Sequence, residues 1–321
     1  MTKLLNVAIV ILALALIAVI LYPQIQENRP KVVRFACDSS AACLPFLVAV
    51  DETLFVNNKI KPELVFYSDP EQALADLFAG KTDVGVFPWS TVLKHALAKN
   101  ETLKVFMSED YRQSLPVDAV VVPAKSGITA VAGLARKRFG YPKQLRDYVP
   151  VFLTNVGILP QNITLVEASL HELPVKLAAG QLDAAWLIEP ELCPIDTTQY
   201  RVLQAGALPK YVSAPFPGAA VGFAPSFFKQ SKTLLMRLKI ATDAAVALAE
   251  TKPDEAKLIL ARYFPYCKDQ CGTCRIPEMQ RLVEINKPAV SALATRLVVA
   301  GALPSEIETQ TLFVEPSKLA R

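Results

Sequence analysis

The chain opens on an apolar run, Leu4 to Tyr22, in which Asn6 is the one clearly polar side chain. As a helix this run would measure about 28 Å at about 1.5 Å per residue, close to the thickness of a bilayer's hydrocarbon core. Its exit, Leu21-Tyr22-Pro23-Gln24-Ile25-Gln26, lacks the small residues of a cleavage site, and no cysteine follows to carry a lipid. A retained transmembrane anchor over residues 1–23 is therefore expected ahead of a cleaved signal. A polar linker, 24–31, then leads to a body on the periplasmic or extracellular side.

Beyond the linker the pattern alternates between strand and helix periods. Val32–Ala36, Glu63–Tyr67 and Val84–Phe87 read as strands, and Leu44–Val50 between the first two as a helix. A well-punctuated helix precedes the third strand. Asp69 can cap it, Pro70 suits its first position, Glu71 favours its positive end and Gly80 stops it. Further strands are expected at Leu103–Met107, Ala119–Val122, Ile163–Val166, Ala184–Ile188, Arg201–Leu203 and Ala219–Phe223. From Ser226 the pattern turns mainly helical, with a long amphipathic helix over Leu234–Glu250 and another opened by Pro253.

One stretch occurs twice. Leu77-Phe78-Ala79-Gly80-Lys81-Thr82-Asp83-Val84-Gly85 returns as Leu177-Ala178-Ala179-Gly180-Gln181-Leu182-Asp183-Ala184-Ala185. Each copy describes a helix that ends on glycine, turns, and enters a buried strand through an aspartate. Two copies with the same internal spacing predict two similar α/β lobes, and strands alternating with helices predict mostly parallel sheets.

Composition narrows the function classes. Lys plus Arg number 34 against 30 Asp plus Glu, a net charge of +4, too balanced for a dedicated nucleic-acid binder. With 52% hydrophobic residues the chain is not disordered, and with only His95 and His171 it cannot build a multi-histidine metal site. No glycine-rich phosphate-binding string is present. No cofactor and no metal are expected, and two histidines with scattered acids assemble no catalytic constellation.

The duplication also locates a ligand. Solutes bind beyond the carboxyl ends of strands in open α/β sheets. The two duplicated strands end at Phe87-Pro88-Trp89-Ser90 and Leu187-Ile188-Glu189-Pro190. Trp89 is therefore expected to offer an aromatic wall and Glu189 a charge-assisted acceptor from opposite sides of a cleft, with Ser90 beside them. A core aromatic and a solvated carboxylate are the plainer alternatives. The loop Cys37-Asp38-Ser39-Ser40 leads into a helix, whose first N–H groups could receive an anion. A carboxylate at Glu189 would instead favour a cationic or hydrogen-bond-donating guest, such as an aminopyrimidine or amine.

The stretch Leu44 to Val86, followed by Gly140-Tyr141-Pro142, Gly180-Gln181-Leu182-Asp183-Ala184 and Glu189-Pro190, resembles the solute-binding proteins of ABC importers. Within them it is similar to the group handling nitrate, alkylsulfonates, taurine and thiamine-pyrimidine precursors. The resemblance spans roughly residues 32–265. It implies a periplasmic-binding type II clamshell with a discontinuous first lobe, 32–118 and 219–321, and a second lobe, 119–218. It further implies capture of a small organic solute, delivery to a permease and its ATPase, and a monomeric state. Tyr141, Lys143 and Gln144 would lie near the mouth, Asn155 deeper, and Asp118 at the hinge or in the pocket. The same superfamily holds enzymes related to thiamine-pyrimidine synthesis, so catalysis is one alternative; a sensor for a membrane partner is another.

On that template five of the six cysteines fall in the first lobe and Cys193 alone in the second. Cys37–Cys43 and one bond within Cys267, Cys271 and Cys274 are the candidate disulfides. A bridge from Cys193 would restrict opening, which leaves Cys193 unpaired or near the hinge. Metal or cluster binding by Cys267-x3-Cys271-x2-Cys274 is the rival reading.

Overall fold

The duplicated motif folds into the same unit twice. In the first copy Asp69 caps helix Pro70–Phe78 by accepting from the Glu71 and Gln72 N–H groups at 3.0 and 3.4 Å. Gly80 then adopts φ +72°, which an L side chain resists, and Lys81 N–H closes the helix on the Asp76 carbonyl at 2.9 Å. In the second copy helix Glu172–Ala178 ends the same way, with Gly180 at φ +66° and Gln181 N–H on the Lys176 carbonyl at 2.9 Å.

The aspartate of each copy has a defined task. Asp83 accepts from the Arg34 backbone N–H at 2.8 Å and from its guanidinium Nε and Nη2 at 3.0 and 2.9 Å. Asp183 holds Arg138 through the same three atoms at 2.7, 3.2 and 2.8 Å. Each aspartate thus fastens the start of one strand to its parallel neighbour.

The computed structural model describes residues 6, 11–20, 22, 29–99, 101–229, 232–265 and 270–318. A six-stranded sheet is built from β1 (Lys31–Cys37), β2 (Ile60–Phe66), β3 (Val84–Pro88), β4 (Lys104–Tyr111), β10 (Phe216–Phe223) and β11 (Glu278–Arg281), in the order β11-β4-β10-β3-β1-β2. A five-stranded sheet is built from β5 (Asp118–Pro123), β6 (Arg138–Pro142), β7 (Thr164–Ala168), β8 (Ala184–Ile188) and β9 (Tyr200–Ala205), in the order β7-β6-β8-β5-β9. Setting the edge strand β11 aside, the two sheets follow one plan, with β4-β10-β3-β1-β2 matching β9-β5-β8-β6-β7 strand for strand. Even the register repeats: Phe35 lies opposite Val84, and Phe139 opposite Ala184.

Two expectations are corrected. The sheets are mixed, because four of the nine strand pairings are parallel and five antiparallel. The antiparallel pairings centre on β5 and β10, the strands on which the chain passes from one sheet to the other and back. Glu278–Arg281, in the part read as helical, is a strand along β4. Helices Lys232–Thr251 and Pro253–Tyr263 do form, and both pack on helix Leu44–Asp51 beneath the first sheet.

One buried apolar cluster runs from the first sheet into one face of the second, and a smaller one fills the other face of the second sheet under helix Glu172–Ala178. Residues 11–20 are helical with exposed side chains, and among the described residues no helix is long and apolar enough to cross a membrane. The rest of the run read as an anchor, apart from Asn6 and Tyr22, lies outside the described residues.

The clasp gives a graded expectation. Asp83 is more enclosed than Asp183, its side chain 13% exposed against 32%. Asp83→Ala should cost about 1–3 kcal/mol by removing a charged acceptor of three bonds, and Asp183→Ala less. Denaturant unfolding of both variants checks the order.

Candidate ligand site between the lobes

The two sheets face each other across a cleft bounded by the carboxyl ends of β1 and β3, by β4 and β10, and by the turn Lys143–Tyr148 of the second lobe. Asp38 follows β1 and its Oδ1 accepts from the Ser40 N–H at 3.1 Å and hydroxyl at 2.7 Å. Ser40 in turn caps Ala42 N–H at 3.2 Å, which fixes the loop. From the other side Gln144 reaches in, and its buried Oε1 has no hydrogen-bond partner.

The walls are aromatic. Phe87, Tyr111, Tyr148 and Phe216 line the cleft, with the Tyr148 and Phe216 rings edge-on at 5.0 Å. Gly218 of β10 is required here, because a Cβ at that position would meet the Tyr111 ring at 2.3 Å. Tyr111 donates to Glu109 Oε2 at 3.1 Å, while Glu109 Oε1 is buried and unpartnered. Burial pushes the Glu109 carboxyl up to about 8, and the nearby Asp38 charge adds to the rise. Burial raises Asp38 as well. No lysine, arginine or histidine belongs to the described lining. The cavity is about 20 Å³, room for about one water, so a solute enters only when the lobes part.

Ion pairs close the rim. Lys143 meets Asp69 at 3.1 Å, Arg146 meets Glu71 at 3.3 Å and Asp147 meets Lys94 at 2.8 Å, each pair joining the second lobe to the first. Arg146 is itself aimed by a bidentate pair with Glu167. Deeper in, Tyr148 OH accepts the Ser90 N–H at 3.0 Å, at the start of helix Trp89–Lys99.

The cleft therefore gathers Asp38, Ser40 and Gln144 from the sequence-derived set, with Ser39 half-buried in the same loop and Ser90 reaching Tyr148 through its backbone. The others stand elsewhere. Trp89 is fully buried, donates from Nε1 to Ser108 Oγ at 3.0 Å and packs on Phe313, so it is a core aromatic rather than a cleft wall. Tyr141 packs half-buried against the main apolar cluster, and Asn155 is exposed, donating to the Tyr211 carbonyl at 2.7 Å. Asp118 serves the crossing: it accepts from Trp186 Nε1 at 2.8 Å and Leu208 N–H at 3.0 Å, linking the way into the second lobe with the way out.

Glu189 turns away from the cleft. Its Oε2 accepts from Cys193 N–H at 3.1 Å and its Oε1 from Arg275 N–H at 3.3 Å, while burial pushes its carboxyl up to about 7. Equivalent strand ends do not impose equivalent side-chain directions, since Trp89 begins a helix and Glu189 a turn. The cysteine expectations change too. Cys193 is bonded to Cys274, and Cys37 and Cys43 are both free and buried. The bond lies beside the first crossing, where Arg275 Nη1 donates to the Pro116 carbonyl and Glu189 N–H to that of Val117. Cys193 is thus paired and lies near the hinge, where a tie limits rotation least. Cys267 lies outside the described residues.

Glu109, Tyr111 and Tyr148 went unnoticed in the sequence. A signal existed for the first: Ser108-Glu109-Asp110 is a polar run that directly follows the apolar Val105-Phe106-Met107 in one strand, and all three are buried.

Two α/β lobes joined by two crossings, with a cleft closed between them, define the periplasmic-binding class of fold. The chain belongs to the NMT1/THI5-like family, whose profile matches residues 40–256, more than half of its length. Among solved structures it is similar to the alkanesulfonate-binding protein SsuA from Xanthomonas axonopodis pv. citri bound to MOPS, at 19% identity and TM-score 0.72, over 89% of this chain and 99% of that one. It is also similar to the periplasmic aliphatic sulphonate-binding protein SsuA from Escherichia coli, at 16% identity and TM-score 0.68, over 88% and 97%. The periplasmic nitrate-binding protein NrtA from Synechocystis PCC 6803 aligns at 11% identity and TM-score 0.69, over 89% and 86%. No curated sequence matches the chain significantly. The family resemblance read from the motifs is borne out.

Two outcomes follow from the acid behind Tyr111 and from the charged rim. Glu109 is raised from 4.5 to about 8 in the fold, so its protonation supports the folded state fully below about pH 4.5 and that support is lost as pH rises through 8. Melting temperature should fall over that window, and Glu109→Gln should flatten the fall. At the rim, Lys94→Ala with Lys143→Ala should enlarge the radius of gyration measured by solution scattering, and added salt should do the same to the native chain.

Proposed function

We propose that the chain is an extracytoplasmic solute-binding protein that closes its lobes on a small organic solute and hands it to an ABC permease. The named neighbours, which bind sulfonates or nitrate, support this reading through their shared fold. The apolar N-terminal run supports tethering of the body to a membrane.

One observation carries the ligand class: the cleft sets Asp38 among aromatic walls, backs its Tyr111 with the buried acid Glu109, and presents no lysine, arginine or histidine among its described lining. A bare sulfonate or nitrate in that setting would face the Asp38 carboxyl and find no guanidinium. The guest is instead a planar amine or amino-heterocycle, such as an aminopyrimidine, stacked against Tyr111 or Tyr148 and donating to Asp38, Glu109 and Gln144 Oε1. Neither histidine reaches this cleft. His95 stacks on Phe78 at 4.3 Å and His171 precedes helix Glu172–Ala178, so the cleft binds without an imidazole base to drive turnover.

A thermal-shift panel of aminopyrimidines, amines, alkylsulfonates and nitrate tests the class, since a bound solute raises the melting temperature by mass action. Amino compounds should raise it and the anions should not; a shift with alkylsulfonate alone overturns the reading. With the best amino compound, Asp38→Asn and Glu109→Gln should each weaken binding about ten- to a hundred-fold by titration calorimetry. A cation that meets Glu109 expels its proton, so binding near pH 7 should release protons, seen as a dependence of heat on buffer ionisation.

A further inference from the structure

The buried group at the crossing has a chemistry that solute capture does not use. Cys193 Sγ, Cys274 Sγ and a Glu189 carboxylate oxygen all lie within 4.8 Å of one another. Glu189 is 3% exposed and Cys274 1% exposed. The carboxylate is aimed by two backbone N–H groups, one from Cys193 and one from Arg275, the residue after Cys274. The backbone at Cys193 and at the residue following Cys274 thus orients the third member. The two sulfurs come from different lobes: Cys193 follows β8 of the second sheet, and Cys274 precedes β11 of the first.

We propose that, when the Cys193–Cys274 bond is reduced, these three side chains bind one thiophilic divalent cation of the zinc type, and that the cation replaces the disulfide as the tie between the lobes. Two thiolates and a carboxylate make a donor set that suits zinc, whose tetrahedral shell spaces ligand atoms about 3.5–4 Å apart. The sulfurs reach that spacing by separating from bonding distance, with the carboxylate already in place. A fourth position remains for water. The charge balance also favours it: two thiolates and Glu189 carry three negative charges into a buried site, and a dication offsets most of them.

The steps balance. A dithiol reductant gives two electrons and two protons to the disulfide and becomes a disulfide itself. The cation then displaces the two thiol protons, giving two metal–sulfur bonds and two protons in solution. Disulfide and metal are mutually exclusive, so oxidation releases the cation.

The test uses the full chain, reduced with a phosphine, freed of metal by a chelator and desalted without air. Cobalt(II) serves as the spectroscopic probe and zinc as the competitor. One equivalent of cobalt should produce a sulfur-to-metal charge-transfer band that zinc abolishes, while the oxidised chain gives none. Cys193→Ser and Cys274→Ser should each weaken metal binding by at least about a hundred-fold. Glu189→Gln should weaken it about tenfold or more and keep the band. Calorimetry of zinc binding should show close to two protons released per metal. If reduced native chain binds zinc no tighter than Cys193→Ser, the proposal fails. It fails equally if Cys37→Ala with Cys43→Ala removes the band and Cys193→Ser does not. Circular dichroism of each variant separates loss of metal from loss of fold, and Cys193→Ser, only partly buried, keeps the test open if Glu189→Gln does not fold.

Discussion

Everything in this molecule is arranged around two strands that run against the grain. β5 and β10 each lie inside a sheet, antiparallel to both neighbours, because each is the strand on which the chain arrives after crossing from the other lobe. That constraint orients the carboxyl ends of β1, β3, β6 and β8 toward one shared space. It also brings both crossings together, where buried Asp118 accepts from Trp186 and Leu208 and its carbonyl accepts the Gly206 N–H at 2.7 Å. With the carboxyl pushed up to about 6 by burial, this joint is held by neutral donors rather than by a counter-charge.

The sequence carried the repeated unit plainly, because the features that define it are local. A helix end, a glycine at positive φ and an aspartate opening a strand are decided within a few residues of one another in both copies. The arginine partners of Asp83 and Asp183 were not visible, since Arg34 and Arg138 lie 49 and 45 residues away. The cleft was half legible for the same reason. Asp38 and Ser40 belong to a loop whose turn chemistry is local, whereas Glu109 comes to back the cleft through Tyr111 only once β10 and β4 lie side by side with Gly218 under that ring.

Trp89 and Glu189 show where analogy between repeats stops. The backbone repeats faithfully to the end of each strand, and then the two chains diverge into a helix and a turn. Side chains placed one residue past a shared element inherit its position without inheriting its direction. The cysteines make a related point. Connectivity depends on which segments meet in space, and spacing alone gave no means of pairing residues 81 apart.

The charged rim has a consequence for how such a receptor is tuned. Lys143, Arg146 and Asp147 pair across the rim and do not line the cleft, so under the proposed function they weight the resting equilibrium toward the closed form without shaping the guest's contacts. Apparent affinity is the intrinsic affinity scaled by the fraction of molecules standing open. A surface substitution that trims one rim charge therefore resets the concentration at which the receptor fills, while its choice of guest stays as it was. Sensitivity and selectivity are written into separate parts of the chain, and selection can move one without disturbing the other.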